Sequence, residues 1–202
     1  MQSKKKKMIL PIIAYGDPVL RKVGIDIDKD YPDLDILIEN MKETMVNASG
    51  VGLAAPQIGK SIRLFIINAT PFSEDDELEE EEREFLATFD KVFINAKIIK
   101  EEGDEWAFNE GCLSIPDINE DVFRLEKISI EYLDENFEKH TTTLEGIAAR
   151  VFQHEYDHIE GILFTDKISS LKKRLIKKKL ENISKGKISP KYRMKFPLLK
   201  RK

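Results

Sequence analysis

Cysteine, tryptophan and histidine are scarce in this 202-residue chain, which holds one, one and three of them respectively. A lone cysteine, Cys112, cannot close an internal disulfide, so this is not a secreted scaffold stapled by bridges. Long apolar runs are missing too: none approaches the ~20 residues of a membrane span, which excludes a spanning helix. The glycines of residues 50–59 do not complete a phosphate-binding pattern: Lys60-Ser61 follows Gly59, but Ala54 stands where the first glycine of a P-loop is required, which excludes one. A secretory leader is imitated by Lys4 to Lys7 followed by an apolar stretch. That stretch is short, contains Pro11 and has no small-residue cleavage site, so it reads as a basic lead into the first ordered segment. The expected compartment is the cytoplasm, where a thiolate stays reduced. With 41% apolar and 35% charged residues, the composition is that of a soluble globular protein of one domain.

What is present is concentrated in Gln153-His154-Glu155-Tyr156-Asp157-His158. On a helix advancing about 100° per residue, His154 and His158 lie roughly 40° apart around the axis and one turn apart along it. Glu155 falls on the same side. The pattern suits one divalent metal: neutral imidazoles ligate it, while the carboxylate stays off it and takes a proton from the water it polarises. Tyr156 and Asp157 need not touch the ion. An i, i+4 histidine pair also arises by chance on polar helix faces. Here Ile147, Val151 and Ile159 give the helix a core-facing stripe, and Gly146 and Gly161 bracket it.

A hydrolytic metal site needs a third protein ligand and an open position for water. Glu160 lies too close in sequence, and Asp166 belongs to no ligand pattern, so the ligand comes from elsewhere. Cys112 sits in Asn109-Glu110-Gly111-Cys112-Leu113-Ser114-Ile115-Pro116, a turn punctuated by glycine and proline. The alternative for a single cysteine is a small buried hydrophobe. A third segment, Gly50-Val51-Gly52-Leu53-Ala54-Ala55-Pro56-Gln57, allows backbone to approach a ligand closely, and Gln57 offers an amide N–H to a developing oxyanion. By composition alone it is a tight loop after a helix.

In order and spacing these three segments together resemble the signature motifs of bacterial peptide deformylase, over a stretch from about Ile9 to the helix after Phe164. The resemblance implies removal of the formyl group from the N-terminal formyl-methionine of newly made polypeptides, with release of formate. It implies that Cys112, His154 and His158 hold the metal, usually Fe2+, with Zn2+, Ni2+ or Co2+ able to take its place. It implies further that Glu155 is the general base and acid, and that Gln57 and the backbone N–H of Leu113 stabilise the oxyanion.

For the methionine side chain, Ile147, Val151, Val51 and Leu113 are candidate walls of an apolar slot. Arg150 falls among them, with outward pairing to a carboxylate as one reading and no role assigned. The peptide beyond methionine is expected to lie extended along the Gly50 to Leu53 backbone as an added strand, with Gly50, Val51 and Gly52 as the substrate-binding residues.

The coarse fold is α+β: small antiparallel or mixed sheets packed around a central metal-binding helix, with a C-terminal helix. Residues 1–168 form the catalytic domain, and 169–202 are its C-terminal helix and a basic, flexible tail. Asp17-Pro18 starts a turn of helix, and Leu34, Leu37, Ile38, Met41 and Met45 predict a long helix ending near Asn47. Strands are predicted over 62–68, 92–100, 122–125, 128–133 and 139–144, the last two joined as a hairpin. The metal helix is predicted over 146–159, and a final helix over 169–183 carries Leu171, Leu175, Leu180 and Ile183 on one side.

Charge is unevenly spread. Residues 166–202 hold 15 Lys/Arg and 2 Asp/Glu, a local +13, so the rest of the −4 chain carries −17. Members of the resembled family are thought to dock on the ribosome through the C-terminal helix, which a basic surface favours; the alternative is a solvated tail. Conversely, residues 74–84 hold nine acidic residues and one arginine, and read as a surface insertion rather than a site. Two other classes stay open: a metalloprotease of internal peptide bonds, which the Cys112 setting opposes, and a degenerate ribosome- or RNA-binding protein, which intact Glu155, Cys112 and Gln57 oppose.

Overall fold

The computed structural model describes residues 8–199, so the expected basic lead at Lys4 to Lys7 lies outside the described residues. The first long helix, α1, spans Leu34–Asn47 and buries the five predicted apolar residues, which recur at three and four. The main sheet is antiparallel and five-stranded, in chain order: β2 (Gly52–Ala54), β3 (Leu64–Asn68), β4 (Asp90–Cys112), β5 (Ile115–Leu133) and β6 (Lys139–Glu145). Helix α3, Gly146–Ile159, lies against one face.

Both faces of β3 are covered, so its first four residues, Leu64 to Ile67, are all apolar and buried. Leu64 and Ile66 meet the α1 residues Leu37, Ile38, Met41 and Met45. Phe65 and Ile67 face the α3 side, where the Phe152 ring packs edge-on against Phe65 at 5.1 Å and Phe93 at 5.0 Å. That aromatic cluster fixes the rotation of α3 and with it the direction of its polar residues.

The predicted strand at 92–100 runs on to Cys112, and the pieces at 122–125 and 128–133 are one strand. Much of this long hairpin is solvated, so its charged stretch carries no apolar alternation to read. Its register shifts at four places, the last between Gly111 and Cys112, which twist and bend the ribbon.

Elements not foreseen are the short strand β2, in a segment that composition alone makes a tight loop, a two-stranded parallel sheet, β1 (Ile12–Ile13) with β7 (Met194–Lys195), the helix α2 (Glu80–Leu86) and the single turn α4 (Phe164–Lys167). Helix α2 lies in the acidic segment, which buries Leu86 and sends Glu82 to the first turn of α3. The last helix, α5, spans Ser170–Ser184. Its buried face is Ile176, Leu180 and Ile183, whereas Leu171 and Leu175, expected on that face, are 59% and 70% exposed. The stripe that packs begins one turn later and one position round the helix. The segment after Gly186, expected to be flexible, folds back on the body through β7. Isolated strand pairs of two residues give no periodic signal. No helix among the described residues is long and apolar enough to cross a membrane.

Candidate active site

Cys112 ends β4 at the hairpin tip, opposite Ile115, with Leu113 and Ser114 as the turn. From α3, His154 and His158 project towards it one turn apart. Sγ of Cys112 lies 3.3 Å from Nε2 of His158, and the donor atoms of Cys112, His154 and His158 all fall within 4.8 Å of one another. Metal–sulfur and metal–nitrogen bonds of about 2.3 and 2.0 Å in a tetrahedral site set sulfur and nitrogen about 3.5 Å apart. The three side chains therefore fit one small divalent ion.

Glu110 orients this set. Its Oε2 accepts from Nδ1 of His154 at 2.9 Å, which assigns the proton to Nδ1 and leaves the Nε2 lone pair free for a metal. The same carboxylate accepts from Nε and Nη2 of Arg124 at 2.7 and 2.9 Å and from Nη1 of Arg150 at 3.1 Å. Arg124 also donates to Asp157 at 2.7 Å, tying the hairpin to α3 a second time. Burial alone would raise the Glu110 carboxyl, but Arg124 and His154 hold it well below the usual carboxylate range.

Glu155 is buried, and its Oε2 has no hydrogen-bond partner. Burial pushes its carboxyl up to about 7, with His154 opposing the rise. A buried acceptor with nothing to accept from costs free energy unless a ligand or water supplies the proton. The carboxylate lies against Gly52: a β-carbon there would stand 2.3 Å from Oε1. Gln57 completes the group. Its Oε1 accepts the Ala54 N–H at 2.7 Å, which turns Nε2 towards Cys112 Sγ at 3.5 Å, so the amide presents a donor to the centre.

A cleft of about 610 Å³ opens beside these residues and is lined by Gly50, Val51, Gly52, Leu113 and Val151 among others. Ile147 does not line it. It packs instead in the aromatic core, because it stands in the first turn of α3, away from the ligands. Arg150 points inward. It is 1% exposed, lies 4.4 Å over the Trp106 ring, and bonds Glu110 and the carbonyls of Val122 and Trp106. Phe72 and Phe108 contribute apolar walls that were not foreseen. Glu110, Arg124 and Asp157 were also missed as a unit, although Glu110 lies within the motif and Asp157 between the histidines.

The model of the polypeptide deformylase family matches residues 9–174. A peptide deformylase of Christiangramia forsetii is 67% identical over 96% of this chain and 99% of its own length. One from Flavobacterium johnsoniae is 63% identical over 96% and 99%. Among solved structures, the peptide deformylase of Thermus thermophilus matches with a TM-score of 0.74 at 40% identity, covering 87% of this chain and 98% of that one. That of Legionella pneumophila matches at 0.74 and 36%, covering 89% and 98%. The metalloprotease and the degenerate RNA-binding protein draw no support from these likenesses. With a group able to hold a metal, a carboxylate and a cleft in one place, the chain belongs to the polypeptide deformylase family, enzymes that hydrolyse the formyl group from polypeptides.

Proposed function

We propose that Cys112, His154 and His158 hold one divalent cation, Fe2+ in the cell, and that Glu155, Gln57 and Leu113 perform deformylation of nascent formyl-methionyl polypeptides around it. The observation that carries this reading is the convergence of three ligand atoms within 4.8 Å, beside a buried carboxylate with an unpaired oxygen. Zn2+, Ni2+ or Co2+ suits the same thiolate and imidazoles. When bound, the cation supplies Lewis-acid polarisation of the formyl carbonyl and acidifies a water molecule.

The protein's part follows from its side chains. Glu155 takes the proton of the attacking water through the oxygen that has no other partner, and passes it to the departing amine, which leaves poorly unless protonated. A carboxyl poised near neutrality serves both steps. Gln57 Nε2 and the Leu113 N–H donate to the carbonyl oxygen as it becomes negative. Glu110 keeps His154 in the tautomer that ligates.

Strand β2 is an edge of the sheet, bonded to β3 on one side only, so its other side can pair with an extended peptide along Gly50, Val51 and Gly52. Val51, Val151 and Leu113, with Phe72 and Phe108, give the methionine side chain an apolar seat. The C-terminal helix and tail act as part of the same domain, and the cytoplasm keeps the thiolate reduced. Exposed Leu171 and Leu175 among the lysines of α5 form a basic, partly apolar surface suited to the ribosome. Co-sedimentation with ribosomes that falls with salt supports that contact; no co-sedimentation at low salt rejects it.

Formate release from a formyl-Met peptide tests the central reading. Glu155→Ala is expected to abolish it, and an unchanged rate refutes the mechanism. After anaerobic purification, elemental analysis of Cys112→Ala is expected to show loss of bound metal; full occupancy places the third ligand elsewhere.

A further inference from the structure

The hairpin turn that follows the ligand Cys112 is held from outside by the two ends of the fold. The Tyr15 N–H donates to the Ser114 carbonyl at 2.9 Å, and the Tyr192 hydroxyl donates to the Leu113 carbonyl at 2.7 Å. Tyr15 lies just after β1 and Tyr192 just before β7, the strands that pair in parallel. Further bonds, Ile12 N–H to the Arg193 carbonyl and Ala14 N–H to the Lys195 carbonyl, both 2.9 Å, lock the pair. Ser189, Pro190, Lys191 and Tyr192 also line the cleft, on the side of Leu113. Leu113 in turn touches the opposite wall, since a β-carbon on Gly50 would stand 2.7 Å from its Cδ1.

We propose that the C-terminal tail is a working wall of the cleft, and that Tyr192 is a positioning residue fixing Leu113, and hence its amide, where the oxyanion forms. Tyr192 is the one hydrogen-bond partner of the Leu113 carbonyl among the described residues, so the peptide plane it shares with Ser114 is held less firmly once the hydroxyl is gone. A rotation there tilts the Leu113 backbone, and oxyanion donors act only when already aimed. The inference rests on the role proposed for the Leu113 N–H.

The test is Tyr192→Phe in the full chain, loaded with zinc, which removes one hydroxyl and keeps the ring. Expected are a fall in kcat of about five- to tenfold, the scale of one hydrogen bond, with KM and the urea midpoint near wild type. A loss confined to kcat is what a transition-state donor gives and a merely structural tyrosine does not. Independently of catalysis, the amide order parameter of Leu113 is expected to fall from the rigid range of ~0.85 towards ~0.6. An unchanged kcat, or an unchanged order parameter, overturns the proposal. If wild type itself releases no formate, the proposed function fails, while the order parameter still decides whether Tyr192 holds the turn.

Discussion

Glu82, in the acidic segment, accepts the backbone N–H of Ile147 at 2.8 Å. Helix α3 begins at Gly146 after Glu145, whose own side chain makes no cap, so its first turn is capped from 65 residues away. A carboxylate there satisfies an orphan donor and opposes the helix dipole. Glu82→Ala is expected to destabilise the protein by ~1 kcal/mol, and Glu82→Gln by less, as measured by urea unfolding. Equal stability of all three would show that the contact contributes nothing.

Gly52→Ala tests the space beside Glu155. Gly52 does not have a positive φ, so the demand is for room rather than for an unusual backbone. A methyl group 2.3 Å from Oε1 forces the carboxylate aside. A displacement of ~1 Å can cost ~10²-fold in rate. Deformylation is expected to fall by about that factor while elemental analysis finds the metal retained.

Gln57→Leu keeps the bulk of the side chain and removes its donor. The loss expected in kcat is about 10²–10³-fold, the usual effect of deleting one oxyanion donor. Steady-state kinetics showing a rise in KM alone would reassign Gln57 to substrate binding.

Arg124→Leu leaves Glu110 and Asp157 buried without their shared cation. Breaking such a pair from one side costs ~3–5 kcal/mol, which denaturant titration resolves. The conservative Arg124→Lys is expected to recover little, because one ammonium cannot reproduce the forked contacts to both carboxylates.

Acid stability should depend in part on Asp166. Burial alone would raise this carboxyl, but Arg21, the Leu163 N–H and Lys173 hold it below its ordinary value. A depressed carboxyl stabilises fully above the unfolded value of ~3.9, and the contribution drains away as pH falls through the lower folded value. Asp166→Asn is therefore expected to lower the unfolding free energy from urea titration at neutral pH by ~1 kcal/mol or less for so exposed a pair. The gap should narrow below pH ~4; a gap that widens there contradicts the assigned sign.

The elements with a face to bury were legible before any coordinates. Helix α3 begins and ends where Gly146 and Ile159 predicted, and α1 buries the predicted Leu34, Leu37, Ile38, Met41 and Met45. His154 and His158 announced themselves by residue type and spacing, whereas Cys112 and Gln57 were legible only through the resemblance of their segments to the family's motifs; the structure brings all four together. What stayed hidden depends on partners far away in the chain. Ile147 and Val151 share a helix stripe in one dimension, yet one faces Phe rings and the other the cleft, a distinction set by the neighbouring sheet. Glu82 looked like one solvated charge in a run of nine, and Arg150 like an arginine seeking water. Nothing local reveals that Glu110 awaits the guanidinium. Leu171 and Leu175 show the opposite error, in which helical spacing alone suggested burial and the body of the protein left them outside.

An enzyme with an open strand at the margin of its site, as proposed here for extended backbone, also risks stacking against its own copies. The two free margins of this sheet limit that hazard differently. Strand β6 presents Lys139, His140, Thr141, Thr142, Thr143 and Glu145, a polar border unsuited to dry stacking. Strand β2 is apolar but three residues long, and the following turn contains Pro56, which has no N–H to give. Fibril-forming segments need about six flat residues, so this margin can welcome a visiting chain without templating an aggregate.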